Sequence, residues 1–273
     1  MDKVSSNLVV ARKVELPTAG TQACILELNR PEDMNPLDWS TIRALRAELD
    51  AADQDPSVRV ILLTGRGRAF SAGGDLRKYL EIQRDTVKFP QLNEEFHALV
   101  LRLGEVSKPT IALVNGATAA GGLEILLGCD FAFAGRSARI GDGHLNFGQM
   151  GGGGVLTLLP RLIGPNKARE LIFSGRLLRA EEALDWGLVN RVVDDADLEK
   201  EGLAFAAQVA AHSPLAVANA KYVLNNAWKD GTGVVAGMRV ERERTAYYCL
   251  TSFDAREGLE AFDAKRKPAF RGT

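Results

Sequence analysis

Residues 65–76 read GRGRAFSAGGDL and follow an apolar run, VRVILLT, at 58–64. The pattern returns about forty residues on, where PTIALVNG (109–116) leads into ATAAGGLEILLGCD (117–130) and then FAFA (131–134). Runs without polar alternation are strands covered on both faces. A glycine-rich turn after such a strand serves phosphate binding, a nucleophile, an anion hole or packing alone, and the flanking residues decide among these. Working outward, LVVARKV (8–14) and ACILEL (23–28) read as strands. Leu37, Ile42, Leu45, Leu49 and Ala52 fall on one helical face, as do Leu92, Phe96, Leu99, Val100, Leu103 and Val106. Strand and helix alternate with short polar breaks, which predicts a layered α/β core. From about residue 196 the strand signal disappears and helices are predicted, with Ser213-Pro214 as an N-cap and first-turn proline between two of them. The expected division is residues 1–195 as core and 196–273 as a helical layer.

Composition narrows the function classes. A chain of 273 residues buries a full core without a metal or disulfide staple. A net charge of −1 gives no global field for nucleic acid or an anionic membrane, so any anionic ligand needs a local cluster of cations. Three scattered cysteines (Cys24, Cys129, Cys249) point to a reducing compartment, and the N-terminal apolar run is too short for a signal peptide. A cytoplasmic protein with no nucleic-acid or membrane partner is expected. No G-x-x-x-x-G-K-[ST] run occurs. Phe70 stands where a dinucleotide fingerprint needs its third glycine, and Ala69 where a nucleophile elbow needs glycine. His97, His144 and His212 lack metal-ligand spacing, so no metal site is expected.

Taken with LNRPEDMNPLD (28–38), GGGGVLTLLPRLIG (151–164), ARELIFSGRLLRAEEALDWGLVNRVV (168–193) and AFDAKRKPAF (261–270), the two glycine-bearing segments resemble the crotonase superfamily. These are the enoyl-CoA hydratase/isomerase proteins, which act on acyl-CoA thioesters, and the six segments run in the family's order over nearly the whole chain. The resemblance implies an α/β fold, a spiral of ββα units with a C-terminal helical layer, assembled as a homotrimer or a dimer of trimers. Coenzyme A is expected as part of the substrate, with no permanently bound cofactor.

The chemistry fits these residues. Reaction at the α-carbon of a thioester puts negative charge on the carbonyl oxygen, and two preorganised N–H donors there are worth roughly 10²–10³ in rate apiece. By position, Gly74 and Gly121 would supply them; Gly121 also opens an apolar helix, whose N-terminus favours an anion. The resemblance assigns ligand contacts to the backbone at Ala72, to Asp75, Leu76 and Arg77, and to Phe262 and Lys265 from the terminal helix, often that of a neighbouring subunit. Arg66, Arg68, Lys78, Arg266 and Lys267 add positive charge around those positions. Glu124, three residues into the apolar helix, matches one of the two glutamates that handle water in hydratases. The second is missing. RIGDGHLNFGQMGGGG (139–154) offers Gly143 or His144 in its slot, with Asp142 alongside. Hydration of a 2-enoyl-CoA is the leading expectation. Isomerase, hydrolase or decarboxylase chemistry in the same hole, or a non-catalytic CoA-binding or RNA-binding scaffold, stays open. Met150 and Phe147 are placed to shape the acyl pocket.

Overall fold

The computed structural model describes residues 8–229, 231 and 233–273. The leader reading of the N-terminus falls partly on residues 1–7, outside the described residues. The strands β1 (Val9–Glu15) and β2 (Gln22–Leu28) pair antiparallel. After the helix α1 (Trp39–Gln54), β3 (Val58–Gly65) adds parallel to β2. Asp38 caps α1 by accepting the Thr41 N–H at 2.9 Å, so the helix starts two residues after the predicted Leu37. β4 (Ala69–Ser71) then leaves this sheet for a second one, and α2 (Leu76–Ile82) and α3 (Lys88–Glu105) follow.

The same step repeats twice. β5 (Thr110–Val114) lies in the large sheet, β6 (Ala117–Ala119) in the small one, and α4 (Gly121–Gly128) closes that unit. β7 (Phe131–Gly135) and β8 (Arg139–Gly141) repeat the pair, followed by α5 (Val155–Ile163) and α6 (Pro165–Ser174). β9 (Leu178–Arg179), α7 (Ala180–Asp185) and β10 (Arg191–Val193) finish the sheets, ordered β1-β2-β3-β5-β7-β10 and β4-β6-β8-β9. Each corner between the sheets needs a close backbone crossing. A Cβ on Gly65 would stand 2.2 Å from the Phe70 carbonyl oxygen, and one on Gly116 2.1 Å from that of Arg68. Gly65 therefore serves the fold and not a ligand.

The apolar runs are explained by burial on both faces. Ile61 and Leu63 face the cluster that holds α1, α3 and α4, while Val60 and Leu62 face a second cluster with Leu198, Ala206 and Ala210 of α8 (Leu198–Ala210). α9 (Pro214–Lys229), α10 (Val234–Thr251) and α11 (Phe253–Asp263) follow, and Ser213 caps α9 as its sequence predicts. Buried Asp254 gathers the chain's end by accepting from Ser213 Oγ (2.6 Å), Arg271 N (2.6 Å) and Gly272 N (3.0 Å). No described helix is long and apolar enough to cross a membrane.

One device sets the site. The loop before α1 grips the GRGRAFSAGG turn through buried Asn35, whose Nδ2 donates to the carbonyls of Arg66 (3.0 Å), Ala69 (2.8 Å) and Phe70 (3.2 Å). Ser71 Oγ donates back to the Asn35 carbonyl at 2.8 Å, Ala72 N to the Met34 carbonyl at 3.0 Å and Leu37 N to the Gly73 carbonyl at 2.9 Å. Residues 71–74 are thereby fixed from both sides. Nothing in the sequence reading singled out Asn35 or Ser71.

Candidate active site

A cleft of about 740 Å³ opens where the turn after β4 meets the start of α4. Two chain segments converge there. Gly73, at φ +101°, is packed so that a Cβ would stand 2.8 Å from Ala120 Cβ and 3.1 Å from Gly121 N. Gly121 is the first residue of α4, so its N–H has no intrahelical acceptor. Among the described residues no backbone acceptor receives the Gly74 N–H either. Ala120 takes φ 50°, ψ −119°, an uncommon conformation for a residue with a Cβ. Its N–H is held at 2.6 Å by the Asp142 carbonyl, so the loop after β8 fixes the entry to α4.

Glu124 lies on α4, 1% exposed. Its Oε1 accepts from Gly153 N (2.7 Å) and Val155 N (3.2 Å), supplying the cap that Gly154, without a side chain, cannot give α5. Burial pushes its carboxyl above the usual range; the charge of His144 and those two amides oppose the shift, and Asp142 adds to it. His144 lies on the 3₁₀ turn His144–Phe147, its Nδ1 2.7 Å from Asp142 Oδ1. A carboxylate only accepts, so Nδ1 carries a proton. Burial lowers the imidazole pKa, but the Asp142 hydrogen bond, its charge and that of Glu124 together outweigh it, and the net shift is upward. The position of a Gly151 Cβ is 3.1 Å from Glu124 Oε1, 3.3 Å from His144 Cε1 and 2.2 Å from Val155 Cγ1. The bare glycine thus lets Val155 pack close while the carboxylate and the imidazole face the same stretch of backbone.

Of the residues singled out in the sequence, Ala72, Gly74, Leu76, Gly121, Glu124 and His144 line the cleft, as do Phe147 and Met150. Asp142 stands behind His144, 1% exposed. Asp75 caps α2, accepting from the Arg77 and Lys78 amides, and sits 3.6 Å from Arg30. Arg77, Phe262 and Lys265 do not line the cleft of their own chain. Arg266 is held bidentate by Glu257 at 2.6 and 2.9 Å. The sequence reading missed Tyr79, Phe89 and Asn93 on α2 and α3, all of which line the cleft. Phe89 and Asn93 stand four residues apart on α3, a helix read only for its core stripe from Leu92 to Val106, and Tyr79 lies on α2, which was not read as a helix. Among the described residues no group of three or more His, Cys, Asp and Glu side chains could hold a metal ion.

Two sheets wound strand by strand into a spiral, with the cleft where the turn after β4 meets the start of α4, define the crotonase-like class of α/β proteins. The sequence model of the enoyl-CoA hydratase/isomerase family matches residues 19–273. The chain is 36% identical to the 2,3-dehydroadipyl-CoA hydratase of Escherichia coli K12, over 98% of this chain and 99% of that one. It is 34% identical to the crotonyl-CoA hydratase of Syntrophomonas wolfei, over 90% and 93%. The crystal structure of an enoyl-CoA hydratase from Bacillus anthracis superposes with a TM-score of 0.89 at 30% identity, covering 97% of this chain and 100% of that one. The chain belongs to the enoyl-CoA hydratase/isomerase family.

Proposed function

We propose that the protein hydrates a 2-enoyl-CoA thioester, with Gly74 and Gly121 binding the carbonyl oxygen and Glu124 and His144 moving the protons. The observation that carries this reading is that Gly74, Gly121, Glu124 and His144, from three separate segments of the chain, line one cleft. Ionised Glu124 takes a proton from water as its oxygen bonds to C3. The double-bond electrons move toward the thioester, whose oxygen gains charge between the two amides. Protonated His144, held by Asp142, delivers its proton to C2. The sum is one H–OH added across one C=C bond. The upward shift of His144 suits an acid, and each partner's charge favours the other's active form. The imidazole thus takes the part of the family's second glutamate.

The coenzyme belongs along Ala72, Asp75, Leu76 and Arg77, with Phe262 and Lys265 reaching it from a neighbouring chain. That arrangement, as a homotrimer or a dimer of trimers associating through the region 196–273, is supported by α10, on which no residue is buried within one chain. A cytoplasmic location completes the proposal, in keeping with three cysteines scattered widely along the sequence.

The test is a panel of 2-enoyl-CoA thioesters in heavy water, read by mass spectrometry. A water adduct carrying deuterium at C2 is the expected product. Deuterium at the α-carbon without an adduct would replace hydration by isomerisation. Free CoA would point to thioester hydrolysis, and no change despite CoA binding to a scaffold.

A further inference from the structure

Three residues of α3 line the cleft at helical spacing: Phe89, Asn93 and Phe96. Phe96 marks the reaction end. Its Cζ lies 3.3 Å from the position of a Gly121 Cβ, and the position of a Gly153 Cβ is 2.4 Å from Phe96 Cε1 and 3.0 Å from Glu124 Oε2. Phe89 lies two turns back along the helix, edge-on to Tyr79 with ring centroids 5.6 Å apart. Asn93 stands between them, half-buried. Its Cγ and Oδ1 are each 3.6 Å from where a Gly152 side chain would begin, so the missing side chain leaves the amide facing the cleft. Among the described residues nothing hydrogen-bonds that amide. A carboxamide set between aromatic rings on a binding wall is poorly placed for a purely hydrocarbon ligand, which would strip its water and return no hydrogen bond.

We propose that the acyl group taken by this site carries a neutral hydrogen-bonding substituent, a hydroxyl or oxo group, which Asn93 reads. This rests on the acyl-CoA reading above and names the substrate class within it. Three residues of helix span about 4.5 Å, so Asn93 lies roughly that far along α3 from the level of Phe96 and Glu124. Counted from C3 along an extended chain, the substituent falls near the sixth carbon of the acyl chain. The amide both donates and accepts, which matches a hydroxyl and suits a ketone. A terminal carboxylate is disfavoured. Among the described residues lining the cleft the ionisable side chains are Glu124, His144 and Tyr79, with no lysine or arginine, and Glu124 would repel a second carboxylate. The substrate class therefore differs from that in the name of the E. coli relative.

Binding of saturated thioesters tests this without turnover. Hexanoyl-CoA, 6-hydroxyhexanoyl-CoA and adipyl-CoA are titrated calorimetrically into the wild-type protein and into Asn93→Leu, which nearly conserves volume. The hydroxylated chain is expected to bind about tenfold more tightly than hexanoyl-CoA, the scale of one hydrogen bond, with adipyl-CoA weakest. In Asn93→Leu the ratio of hydroxylated to plain affinity should fall to about one. Equal or tighter binding of hexanoyl-CoA or adipyl-CoA by the wild-type protein overturns the proposal, and that comparison stands even if the variant fails to fold. An unchanged ratio in a folded variant overturns it as well. A preference for the hydroxylated chain in a protein that hydrates no enoyl-CoA would uphold Asn93 and defeat hydration. Failure of all three thioesters to bind would defeat both.

Discussion

At the residue scale the unusual element is the pair Glu124 and His144, two groups of opposite charge in place of two like ones. Glu124→Gln keeps the cap on α5, because its carbonyl oxygen still accepts, but removes the base. Turnover should fall by about 10²–10⁴ while CoA affinity stays near the wild-type value; retained turnover would take Glu124 out of the mechanism. The pH profile follows from the two directions. Glu124 must be ionised, and burial raises its pKa, so the acid limb lies above that of an ordinary glutamate. His144 must be protonated, and its raised pKa carries the alkaline limb above that of a free imidazole. Asp142→Asn removes the charge that helps raise it and should move the alkaline limb of kcat/KM to lower pH, leaving the acid limb nearly in place. A profile whose alkaline limb does not move would detach Asp142 from His144. Part of this site was legible in the sequence: a glutamate in an apolar helix is visible in single letters, while the slot of the missing glutamate, holding Gly143 or His144, came from the family resemblance. The second task of Asp142, holding Ala120 through its backbone carbonyl, was not legible, because a main-chain acceptor leaves no trace in residue type.

The elements that carry Gly74 and Gly121, the two amides of the proposed anion hole, are held by contacts far apart in sequence. Each strand run announced a strand and each apolar stripe a helix, but the small sheet came only by way of the family resemblance. Its strands β4, β6, β8 and β9 are two or three residues long, too short for a periodicity. The clamp by Asn35 and Ser71 was likewise hidden, since a buried polar side chain in a loop reads as an exposed one until its partners are placed. Gly73 is where the two segments meet, and its conformation admits no side chain easily. Gly73→Ala would combine a φ of +101° with a Cβ 2.8 Å from that of Ala120 and 3.1 Å from the Gly121 nitrogen. The strain is worth about 1–3 kcal/mol, a lowered melting temperature, and the turns can relax only by separating the amides. Turnover should drop at least as far as on losing one anion-hole donor, about 10²-fold, although residue 73 touches no proton in transit. A variant that melts early yet turns over normally would show that the two turns need not stay in register.

Seen as a whole molecule, one chain leaves two requirements unmet, and the neighbouring chain of the proposed assembly would answer both. The first is apolar surface. α10 buries none of its residues, and it leaves Val234, Val235, Met238, Tyr247 and Leu250 exposed, with Leu259 and Phe262 beyond it on α11. Seven large apolar side chains left exposed on two successive helices point to an interaction surface. The second is charge for a polyanionic coenzyme. Arg77 and Lys265 do not line the cleft of their own chain, and Arg266 is occupied by Glu257. Packing α10 and α11 of one chain beside the cleft of the next would cover the first and supply the second. Light scattering on the purified protein should then give a mass of about three times 29.5 kDa, or a multiple of that. Leu250→Glu combined with Val235→Glu should shift it to the single-chain value. Because neither position lies near Glu124 or His144, the dissociated chain should keep its fold by circular dichroism and lose chiefly coenzyme affinity, seen as a raised KM. A single-chain protein with an unchanged KM would place the whole coenzyme site within one chain and leave α10 to some other partner.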